Sequence, residues 1–171
     1  MKKIILTFIF TLVIIVAATT AYMYSGAYDV GQMVPHNSIT KWMIRTTTHH
    51  SINKRLKDIK VPVLNDTAMF VEGFLHYNEM CVMCHGAPGI DPGEMAEGLY
   101  PSPPKFYKSN NMPDTDESFW IIKNGIKMTS MPAFGPSHTD KSIWDITAFF
   151  LNKMNTMSPE EYQSWVKKYA E

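Results

Sequence analysis

Two cysteines separated by two residues, with a histidine directly after the second, constrain this 171-residue chain more than any other feature: Cys81-Val82-Met83-Cys84-His85. Thiols at that spacing followed at once by an imidazole form the attachment signature of a c-type haem. Each thiol adds across a haem vinyl group to give a thioether, and the histidine reaches the iron from the proximal side. Val82 and Met83 are spacers. A disulfide or redox dithiol would need no histidine next door. A structural zinc site would need a second pair of Cys or His ligands at matching spacing, and His36, His49, His50, His76 and His138 supply none, since His49 and His50 are adjacent.

Cys81 and Cys84 are the only cysteines, so haem attachment would leave none for a disulfide or an N-terminal lipid. Attachment at such a site takes place outside the cytoplasm, which predicts export. The N-terminus agrees: Lys2 and Lys3 precede an uncharged run from Ile4 to Tyr24. Its 21 residues are enough to cross a hydrocarbon core of about 30 Å. The lysines favour an N-terminus left in the cytoplasm, and Tyr22 and Tyr24 suit the far interface. An uncleaved anchor over residues 1–24 is the favoured reading; cleavage near Ala18 or Ala21, which would release the rest into the periplasm, is the alternative.

Charge divides the remainder, although the overall net is zero. Residues 25–60 carry six basic side chains against Asp29 and Asp58, a net of +4, whereas residues 61–171 carry eight basic and fourteen acidic, a net of −6. The basic segment, 25–64, spaces Ile39, Trp42, Met43, Ile52, Leu56 and Ile59 close to helical periodicity, with Ser38 as a candidate N-cap. Such a helix suits anionic headgroups or the flank of the next domain or a partner subunit; both stay open. Val61-Pro62 ends it, because proline biases its predecessor towards an extended backbone.

A small domain is expected over 65–157. Its first helix starts at Asn65 or Asp66, runs to about Met80, and presents Phe70, Phe74 and Tyr77 on one face. Gly73 lies within it. Glycine there costs about 1 kcal/mol relative to alanine, which points to close approach by another helix. The expected mate runs from about Asp140 to Lys153, capped by Thr139, with a stripe of Ile143, Trp144, Thr147, Phe150 and Leu151. Between them, Asp114 to Glu117 resembles a capping box before a short helix ending at Asn124-Gly125. Ser158-Pro159-Glu160-Glu161 opens a C-terminal amphipathic helix, 158–171, in which glutamate is expected to return to the cap.

From Gly86 to residue 113 the chain reads as loop, rich in glycine and proline. Loops this long inside a compact domain are usually functional. Here the task would be to cover a porphyrin edge and offer a carbonyl to the free nitrogen of His85. A thioether is offered later, in Gly125-Ile-Lys-Met-Thr-Ser-Met-Pro-Ala-Phe-Gly135. Most of the thirteen methionines are core filler. Met131 stands out because Pro132 fixes the backbone beside it; Met128 and Met112 are the competitors.

Residues 66–153 resemble a class I c-type cytochrome of the monohaem, membrane-anchored bacterial type. The resemblance rests on Gly73 and Tyr77, Cys81-Val-Met-Cys-His85-Gly86, Gly98-Leu99-Tyr-Pro101-Ser-Pro103-Pro104, Met131-Pro132-Ala-Phe134, and Trp144 with Ala148-Phe149-Phe150. It implies an all-α domain of three to five helices around one haem c. Cys81 and Cys84 would form the thioethers, His85 and Met131 would ligate the iron, and Pro101 or Pro103 would supply the carbonyl to His85. Outer-sphere electron transfer follows as the expected function, since a methionine opposite histidine saturates the iron and raises its potential. A redox protein of unknown identity and the bacterial inner membrane are the expected partners, with the haem domain in the periplasm. No nucleic acid and no small-molecule substrate is expected. The alternatives are a catalytic or gas-binding haem with an open distal position, and a structural subunit of an oxidoreductase. Arg45 and Arg55, the only arginines, precede the expected haem domain, which leaves a catalytic distal pocket without its usual guanidinium. His36 is read as a surface or capping residue rather than a ligand.

Overall fold

The computed structural model describes residues 1–109 and 112–170, and every element among them is helical, apart from one isolated antiparallel bridge between Ala87 and Ile90. The chain divides into two compact units, Met1–Val34 and Pro35–Glu171. The first holds α1 (Lys2–Tyr24), in which no residue is buried. At 1.5 Å per residue its 23 residues span about 35 Å, and it is long and apolar enough to cross a membrane.

The second unit begins at Pro35 and takes in the basic helix as well as the segment after Asn65. Helix α2 (Ser38–Leu56) packs on α6 (Thr115–Asn124), and Ile52 is its buried contact. Its cap is Asn37, whose side chain accepts from the Thr40 amide; Ser38, expected in that role, is the first helical residue. Asn152 Nδ2 donates to the Leu64 carbonyl at 2.9 Å, tying the linker after α2 to the far end of the domain.

Helix α3 (Thr67–His76) starts on Asp66, which accepts from the Ala68 amide. It runs into a π-helical turn, Tyr77–Cys81, and then α4 (Val82–His85). The expected crossing with α7 (Asp140–Ala148) is present and closely packed. A methyl group on Gly73 would collide with the Asp145 carbonyl and with Cβ of Phe149. Thr139 caps α7, which continues as a π turn, Phe149–Lys153, and a 3₁₀ turn, Met154–Thr156. On α6 the capping box does not form. Asp114 makes no side-chain cap bond; instead the Asp116 carboxylate accepts from the Glu117 amide.

Helix α8 (Pro159–Trp165), continued by a π turn Val166–Ala170, is part of the core rather than an appendage. Tyr162 is fully buried, and Phe74 meets Phe149, Tyr162 and Trp165 edge to face at 5.4–5.5 Å. Contacts of this kind contribute roughly 0.5–1.5 kcal/mol each beyond area burial. Ser158 caps α8 by accepting from the Glu161 amide; the Glu161 carboxylate accepts from Lys153 Nζ at 2.7 Å, and the glutamate that turns back to Ser158 is Glu160.

Candidate functional site

Tyr77 and Gly86 frame the cysteine–histidine run. The Tyr77 hydroxyl donates to the Gly86 carbonyl at 2.9 Å in the interior, which closes the π turn and α4 into one rigid corner. A π turn beside a functional segment re-aims the side chains that follow it. Gly86 itself has φ of +69°, and a Cβ there would strike Tyr107 and the Ile90 carbonyl. Glycine is therefore required after His85 on both steric and backbone grounds.

Cys81, Cys84 and His85 are half-buried while the spacer Met83 is exposed. Burial pushes the Cys81 thiol up to about 12, with the neighbouring Cys84 adding to the effect. A redox dithiol works through a thiolate of lowered pKa; the shift at Cys81 runs the other way. Burial also lowers the His85 pKa, partly offset by the bond to the Pro104 carbonyl. Because a carbonyl only accepts, Nδ1 carries the proton, 2.9 Å from the Pro104 oxygen, and Nε2 keeps its lone pair for a metal.

The acceptor of that bond is displaced by one to three residues: the carbonyl belongs to Pro104, and neither Pro101 nor Pro103 supplies it. All three lie in one proline-rich run, so sequence alone could not choose among them. The Tyr100–Pro101 peptide is cis. Phe106, in the 3₁₀ turn Phe106–Lys108, stacks on the His85 ring at 5.0 Å and 22° and leans on Phe150. Tyr107 and Lys108 both donate to the Asp91 carboxylate, which fastens this turn to the loop after His85. That loop also holds α5 (Glu94–Glu97), a single turn; Asn110 and Asn111 lie outside the described residues. Phe106 gave no sequence signal, because an aromatic in a loop has no periodicity to mark it.

The methionine loop is folded back onto the end of α6. Phe134 and Gly135 amides donate to the Ile122 and Lys123 carbonyls, and the Ile126 amide donates to the Met131 carbonyl at 3.2 Å. Thr129 Oγ1 donates to the Ile126 carbonyl and accepts from the Met131 amide. Gly125, φ +65°, sits so close beneath Met131-Pro132-Ala133 that a Cβ would meet three backbone atoms. Met131 is half-buried against the core, as is Met112, while Met128 is 85% exposed at the one non-glycine positive φ among the described residues.

Among the described residues no group of three or more His, Cys, Asp or Glu side chains gathers in metal-binding proximity. The donor set suits a c-type haem: two thiols one helical turn apart, a neutral imidazole with its second nitrogen free and its first one fixed, and a thioether in a braced loop. His36 meets the Tyr100 ring edge to face.

Residues 68–150 match the family model described as cytochrome c oxidase, cbb3-type, subunit III. No curated protein matches the chain. Together with the all-helical fold, this match, reaching from α3 into the π turn after α7, supports a class I c-type cytochrome domain and a haem c electron-transfer role.

Proposed function

We propose that this chain holds one haem c, bound covalently through Cys81 and Cys84 with His85 and Met131 as axial ligands, and serves as an anchored electron-transfer subunit of a respiratory complex. The observation that carries the reading is the fixed tautomer of His85, with Nδ1 committed to the Pro104 carbonyl and Nε2 left free. When bound, the haem supplies one-electron exchange, its iron alternating between ferric and ferrous. What the protein contributes is placement. The Pro104 carbonyl and the Phe106 ring hold the imidazole, and Thr129 with Gly125 braces the loop that offers Met131. Met128 points a competing sulfur at solvent, so Met131 is the better-placed ligand.

In this reading residues 1–24 are an uncleaved anchor in a bacterial inner membrane, 25–64 a juxtamembrane segment, 65–157 the haem domain in the periplasm and 158–171 its closing helix. The apolar, wholly exposed α1 supports the anchor. A family model named for an oxidase subunit favours a place in a membrane complex over a free carrier. Carbon monoxide tests the claim of a saturated iron: the reduced, detergent-solubilised chain should keep its spectrum unchanged under the gas. Rapid binding would replace this reading with that of an open, catalytic or gas-binding haem.

A further inference from the structure

Helix α2 reaches both of the loops that would hold the haem from opposite sides. Just ahead of its first turn, His36 meets Tyr100, ring centroids 5.4 Å apart, and Tyr100 belongs to the loop whose Pro104 carbonyl holds His85. Towards its other end Thr48, Ser51 and Arg55 form one wall of a cavity of about 590 Å³, faced by Trp120, Lys127 and Met131. That volume lies in the range of small-molecule and cofactor sites.

The lining has a definite chemistry. Both charged residues on it, Arg55 and Lys127, are positive, and no acidic residue lines it. Arg55 is oriented by its own helix: Nη1 donates to the Ser51 carbonyl at 2.7 Å and to Ser51 Oγ at 2.8 Å. Among the described residues no carboxylate pairs with it, so Nε and Nη2 are left to take an incoming acceptor. A guanidinium edge with two donors, hydroxyls beside it and an apolar wall opposite fits a carboxylate on an aromatic or macrocyclic body. Residues 61–171 contain no arginine, so a guanidinium for that task can come only from the segment before them.

We propose that Arg55, with Ser51 and Thr48, binds a haem propionate carboxylate, so that the juxtamembrane helix is a wall of the haem site rather than a spacer. The proposal rests on the haem reading above. Displacement of α2 would alter the charge beside the haem and with it the potential. Arg55→Gln removes the charge and the fork, Arg55→Lys keeps the charge alone, and Arg45→Gln, one of the exposed basic residues of α2, is the control.

The experiment uses the full-length holoprotein in detergent, with covalent haem verified first by its alkaline pyridine spectrum. Redox-induced infrared difference spectra, recorded with haem carrying ¹³C-labelled propionates, should show a shifted carboxylate band in Arg55→Gln and a smaller shift in Arg55→Lys. At fixed applied potential, Arg55→Gln should lower the ratio of reduced to oxidised protein about threefold or more, because loss of a nearby cation favours the more positive oxidised form. Arg45→Gln should change neither. Normal haem attachment with labelled bands and potential identical in Arg55→Gln overturns this inference alone; absence of covalent haem from the wild-type chain overturns the haem reading with it.

Discussion

Replacing Gly73 by alanine sets two effects of opposite sign against each other. In an isolated helix the change would stabilise by about 1 kcal/mol. In this fold the new methyl would run into the Asp145 carbonyl and Phe149 Cβ across the α3–α7 crossing. A collision with backbone cannot be relieved by a rotamer change, so the two helices must separate at their closest point, where Phe74 and Phe149 are both fully buried. Overpacking of this kind costs about 1–3 kcal/mol, and more where backbone must move. With the cost at the upper end of that range because backbone must move, the net expectation is a loss of about 1–2 kcal/mol after the propensity gain is subtracted. Gly98→Ala is the control, since the nearest atom to its added Cβ is the Met95 carbonyl oxygen at 3.9 Å and its φ is −86°; a change within about 0.5 kcal/mol is expected there. Denaturant unfolding of the holoprotein, followed by far-ultraviolet dichroism, should show a lower midpoint with unchanged slope for Gly73→Ala. A midpoint equal to or above wild type would refute the close crossing.

Two further outcomes follow from the core. Tyr162→Ala, which empties a fully buried site between Phe74 and α8, should cost about 3–5 kcal/mol in the same unfolding assay; a cost below 1 kcal/mol would mean that α8 does not close the core. Burial raises the pKa of Tyr77 and of Tyr162 above the ordinary 10.0. The unfolded chain therefore loses these protons first, so their contribution is complete below about pH 10 and is lost as pH rises beyond it, by up to about 1.4 kcal/mol per pH unit for each phenol. Stability measured from pH 9 to 11 should fall less steeply in Tyr77→Phe and Tyr162→Phe than in wild type, and equal slopes would contradict the burial argument.

Local signals carried far into this fold. Gly73 announced a helix crossing because a glycine inside an apolar helical stripe needs a steric reason, and the apolar spacing after Thr139 named the mate. Several caps were legible at single positions: Asp66, one of two candidates, caps α3, and Thr139 and Ser158 cap α7 and α8. Asn37 displaced Ser38, and the box at Asp114 lost to Asp116, because competing acceptors lay one or two residues away. The site itself was legible as chemistry but not as geometry. A motif gives the identity of Cys81, Cys84 and His85, whereas the choice of Pro104 over its neighbours and the stacking of Phe106 depend on how a proline-rich loop turns in space. The place of α2 was the least legible element. Its basic residues fit a membrane surface equally well, and only the packing of Ile52 and the α6 contact put it in the same unit as the haem domain.

The central claim is that His85 and Met131 close the iron from both sides, and the optical spectrum of the oxidised protein tests it most directly. Wild-type and Met128→Ala proteins should share a low-spin spectrum with the weak long-wavelength band of methionine-to-iron charge transfer, and Met131→Ala should lose that band. A band that survives in Met131→Ala, or disappears in Met128→Ala, would contradict the assignment.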